Sequence, residues 1–92
     1  MSKPRYPWWG YVKSMVKNYE MPANNKTQER ERNSVRAALQ DTEQSRLPLL
    51  RQVFWSGSTL QAAAEAYNVP AKEARMWHKE FIYRVAHYYG FL

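Results

Sequence analysis

At 92 residues with no cysteine, the chain suits one domain with a modest core, and disulfides, thiolate metal sites and a cysteine nucleophile are excluded. Its net charge of +6 is spread along the sequence and favours a polyanionic partner, because Lys and Arg that neutralise phosphates release counterions. No apolar run could cross a bilayer, and "MSKPRYPWWG" lacks the apolar centre of a signal peptide, so a cytoplasmic protein with no membrane partner is expected.

Pro4 and Pro7 should hold the first residues extended. A first helix follows in "WWGYVKSMVKNYEMP", with Trp8 or Trp9, Val12, Met15 or Val16 and Tyr19 at helical spacing. Pro22 disfavours helix at Met21, which places its end near Tyr19 or Glu20. After the loop "PANNK", a densely charged second helix begins at about Thr27. Val35, Ala38, Leu39 and Thr42 give it a narrow apolar stripe, and Arg30, Arg32 and Arg36 fall on the outside as a solvated face balanced by Glu29, Glu31 and Asp41.

Ser45 is placed to cap a third helix that tolerates Pro48 in its first turn and turns Leu47, Leu50, Phe54 and Val53 inward. Gly57 breaks it. Ser58 and Gln61 have the spacing of a capping box for a fourth helix, whose inner side would be Leu60, Ala63, Ala64 and Tyr67. The last helix runs from about Ala71 to Tyr89, roughly 28 Å. Ala74, Trp77, Phe81, Val85 and Tyr88 or Tyr89 mark its inner face, Gly90 offers a left-handed stop, and Phe91 and Leu92 would seal the end. No strand pattern occurs. The expectation is an all-α bundle of about five helices in one domain, with residues 1–46 supporting a helix-turn-helix in 47–92.

The last two helices have the features a DNA-reading helix-turn-helix requires. Ala63 and Ala64 are small at the helix contact, Asn68 tolerates positive φ, and Val69 can plug the turn. Pro70 departs from the pattern, since proline suits a helix entry but cannot cap it with a side-chain oxygen. In this register Ala71, Lys72, Arg75, Met76 and Lys79 face the major groove. Arg75 can pair bidentately with guanine, Ala71 or Met76 can touch a thymine methyl, Lys72 and Lys79 suit phosphates, and His78 could do either. Glu73 and Glu80 interrupt this basic face, so tight binding would need dimerisation or phosphate contacts from Arg51 or the Arg30–Arg36 segment.

The segments "PRYPWWGYVKSMVKNY", "ERNSVRAAL", "LPLLRQVFW" and "WHKEFIYRVAHYYGFL" resemble small phage-encoded late-gene transcription factors of the RinA/ArpU type, which carry a domain similar to region 4 of sigma factors. The resemblance covers nearly the whole length, through motifs more aromatic and structural than chemical. It implies a helical regulator in the bacterial host that binds double-stranded DNA at a promoter or packaging-region site, with Lys72, Arg75, Met76 and Lys79 as groove positions and RNA polymerase as a second contact. It has no counterpart to the sigma segment that melts promoters, so the implied role is to assist polymerase.

Two other classes compete. Catalysis is disfavoured: His78 and His87 point in nearly opposite senses on one helix, there is no glycine-rich phosphate loop, and no cofactor or metal is expected. A protein–protein module is the stronger rival, because Trp8, Trp9, Tyr11, Trp55 and "HYYGFL" hold much aromatic surface. A phage packaging factor similar to small terminase subunits would also use a helix-turn-helix.

Overall fold

A computed structural model describes residues 6–92, which form five α-helices: α1 Trp9–Lys17, α2 Lys26–Gln40, α3 Leu47–Trp55, α4 Leu60–Ala66 and α5 Ala71–Tyr89. A 3-10 turn at Gln44–Arg46 leads into α3, and no strand occurs among the described residues. Pro4 lies outside the described residues. At Pro7 the chain is already turning, with the Trp9 N–H bonded to the Tyr6 carbonyl at 3.1 Å, so the extended start expected there is corrected.

α5 is the spine. Ala74, Phe81, Ile82, Val85 and Ala86 are buried along it, and α1, α2, α3 and α4 all pack against it. α2 runs antiparallel to it: Arg30 reaches Tyr89 at one end, and Asp41 pairs with Arg84 at 3.6 Å nearer the other. Val12, Met15 and Val16 of α1, Val35 and Ala38 of α2, Leu49, Leu50 and Phe54 of α3, and Ala63 and Ala64 of α4 complete one core. Its inner face is wider than the single stripe expected. Ile82 and Ala86 are buried because α1 covers one flank while α2 covers the other, whereas Tyr88 is exposed.

Several boundaries and caps differ from expectation. α1 ends at Lys17, because the chain tightens into i→i−3 turns from Tyr19 to Val16 and from Met21 to Asn18. α2 starts one residue early, since the Asn25 side chain accepts from the Gln28 N–H at 2.8 Å. Ser45 does not cap α3: the 3-10 turn merges into the helix through Arg46 in right-handed helical geometry, leaving no extended residue at the cap position. Leu49 is buried, whereas Leu47 is only half-buried.

The box of Ser58 and Gln61 does not form. Thr59 takes the extended conformation and its hydroxyl accepts from the Ala62 N–H at 3.1 Å. Ser58 instead closes the end of α3, donating its hydroxyl to Gln52 Oε1 at 2.9 Å. Tyr67 sits beyond the last turn of the short α4 and is exposed. Gly90 (φ 106°) is left-handed, and the Phe91 N–H reaches back to the Ala86 carbonyl at 2.9 Å. Phe91 stacks on Trp8, while Leu92 is 60% exposed and seals nothing.

Candidate nucleic-acid interface

The turn between α4 and α5 is built by one residue. Asn68 is the only non-glycine with positive φ (56°) among the described residues. Its geometry lets the Val69 N–H bond to the Ala64 carbonyl at 2.8 Å, which closes the C-terminus of α4 and tucks Val69 against the core. Pro70, with φ −56° and ψ 138°, then supplies the carbonyl that accepts from the Ala74 N–H at 3.0 Å. α5 therefore starts without a side-chain cap, with four residues between it and the end of α4.

The first half of α5 is half-covered. Ala74 is buried, while Ala71, Lys72, Arg75, Met76 and Lys79 are all exposed. At 3.6 residues per turn, Lys72, Arg75, Met76 and Lys79 span an arc of roughly 100°. Met76 is 53% exposed at one edge of this arc, with Arg75 at the other edge and Lys72 and Lys79 between them. Lys72, Arg75 and Lys79 have no ion-pair partner among the described residues. The Lys79 ammonium lies 5.8 Å from the centre of the Tyr83 ring, whose hydroxyl donates to Tyr6 at 2.9 Å.

The carboxylates stand to one side. Glu80 is bound by Arg46 at 3.2 Å, and the same guanidinium lies 5.2 Å from the centre of the Trp77 ring and 3.9 Å from Glu43. Glu73 and Glu80 share the edge of the helix that faces away from His78. The interruption seen in sequence is thus displaced from the arc, and one of its two charges is neutralised.

His78 does not belong with the exposed set. Its ring stacks on Phe54 at 4.9 Å, and burial, with the nearby Lys13 charge adding to it, pushes its pKa down to about 4. It is neutral at physiological pH and pins α5 to α3. Arg51 stands apart from the arc: it lines a shallow groove with Leu47, Pro48 and Tyr67, and another with Arg36 and Leu39. In the charged α2 segment, Arg30 donates to the Tyr89 carbonyl and lies over its ring at 4.2 Å. Arg32 donates to the Tyr19 carbonyl at 3.2 Å, which leaves Arg36 as the exposed arginine of that segment without a main-chain bond.

Sequence reasoning missed Arg46 as the partner of Glu80, since a contact across 34 positions has no local signal. It also passed over Lys13 and Lys17, although their i, i+4 spacing beside the apolar Val12 and Val16 was visible. No group of three His, Asp or Glu side chains that could hold a metal occurs among the described residues, and no helix there is long and apolar enough to cross a membrane. No family model, curated protein or solved structure matches the chain.

Proposed function

We propose that the protein is a sequence-specific binder of double-stranded DNA that lays the first half of α5 in the major groove. The observation that carries this reading is the turn at Asn68 followed by an exposed, unpaired basic arc with an exposed methionine at its edge. Arg75 is the base reader, suited to the O6 and N7 of guanine; Met76 or Ala71 meets a thymine methyl; Lys72 and Lys79 meet phosphates. The uncapped start of α5 adds backbone N–H groups that favour an anion.

The resemblance to phage late-gene regulators extends the proposal to transcription in a bacterial host, with RNA polymerase as a second contact and a homodimer as the means of tighter binding. The protein-module reading loses its tryptophans, whereas Tyr11, Tyr88 and Phe91 stay exposed. Trp8 and Trp9 pack on Tyr83, and the Trp55 indole N–H donates to the Val16 carbonyl at 2.7 Å, so these rings are engaged internally.

Selection from a random duplex pool tests the proposal, comparing wild type with Arg75→Ala. A defined motif that loses one G·C position in the variant is expected, with about 1–3 kcal/mol lost on the wild-type site. Recovery of no motif by wild type, with equal binding by both proteins, would overturn it.

A further inference from the structure

The basic arc of α5 continues onto a second helix. On α1, Trp9 and Lys13 are one turn apart on the same flank, and Lys17 follows on the next turn. The rings of Trp8 and Trp9 lie 5.9 and 6.1 Å from Tyr83, the residue that extends the Lys72–Lys79 line along α5. One turn further along α1, Lys13 is close enough to His78 for its charge to act on the imidazole. This flank of α1 therefore runs along the edge of the arc that carries Arg75, opposite the edge that carries Glu73 and Glu80. Tyr11, with its hydroxyl on Glu31, points to the other flank of α1, so that carboxylate stands away from the lysines. Lys13 and Lys17 are exposed and have no ion-pair partner among the described residues.

We propose that the crease between α1 and α5 holds a phosphate strand at the border of the major groove, with Lys13 and Lys17 contacting phosphates from α1 opposite Arg75 and Lys79 of α5. This rests on the DNA reading of α5 and adds a second element to it. The field of the site is skewed: positive toward α1, neutral or negative toward the Arg46–Glu80 pair. The helix consequently has one preferred way of lying in the groove, with its α1 side against the backbone.

The test measures binding to a mixed-sequence duplex by anisotropy across a potassium chloride series. It compares wild type, the double variant Lys13→Gln/Lys17→Gln, and the charge-matched control Lys26→Glu at the start of α2. All three positions are exposed, and unchanged circular dichroism verifies the fold. The α1 variant is expected to give a log–log salt slope shallower by about 2, at roughly 0.9 per lost phosphate contact, while the control keeps the wild-type slope. An equal change in both variants would show that total charge, not the crease, matters, and would overturn the proposal. So would an unchanged slope in the α1 variant. Absence of any salt-dependent binding by wild type would instead sink the DNA reading, and this inference with it.

Discussion

Two side chains show how much can rest on a single residue's environment. Asn68 holds a left-handed conformation that costs most residues roughly 1–2 kcal/mol. Asn68→Val should therefore lower the thermal midpoint clearly, whereas Asn68→Gly should stay near wild type; calorimetry of the pair distinguishes backbone strain from a lost side-chain contact. His78 makes a statement about pH. Folded, it titrates at about 4, and unfolded near 6.5. Below 6.5 the unfolded chain takes up a proton that the folded one refuses. Stability is thus full above pH 6.5 and is lost as pH falls toward 4, by at most roughly 3 kcal/mol given the partial exposure of the ring. Urea midpoints for wild type and His78→Phe at pH values on either side of this window should diverge, the variant losing less on acidification.

At the scale of elements, caps are where local pattern and actual geometry part company. Thr59→Ala should cost about 1 kcal/mol, while Gln61→Ala, on an exposed position outside any box, should fall within about 0.5 kcal/mol of wild type in chemical denaturation. Both Ser58 and Thr59 are good caps by type, and the choice between them was made elsewhere: Gln52, on the preceding helix, binds Ser58 and leaves Thr59 to open α4. The five helices, the limits of α5 and the left-handed Asn68 and Gly90 were legible because each depends on local spacing and backbone permissiveness. The burial of Ile82 and Ala86, and the withdrawal of His78 from the exposed face, were not. They depend on α1, α2 and α3 closing over α5, and no periodicity within α5 records where distant helices land.

Across the whole molecule, α5 is shared by every other helix, so neither half of the chain has a core of its own. Phe81, fully buried beside Phe54, is at the junction; Phe81→Ala should cost about 3–5 kcal/mol. In the wild type, far-ultraviolet dichroism and tryptophan fluorescence should report one coincident unfolding transition. Two separate midpoints would show that residues 47–92 melt independently of α1 and α2. The Arg46 guanidinium beside Trp77 has a further, optical consequence. Of the four tryptophans only Trp77 belongs to α5, and it lies on the far side of the helix from Arg75, next to a cation held there by Glu80. With Trp8, Trp9 and Trp55 replaced by phenylalanine, its emission becomes a lamp mounted behind the proposed reading face: dark to direct contact with a ligand, yet responsive to any strain that a ligand on the front transmits through the helix to the clasp behind it.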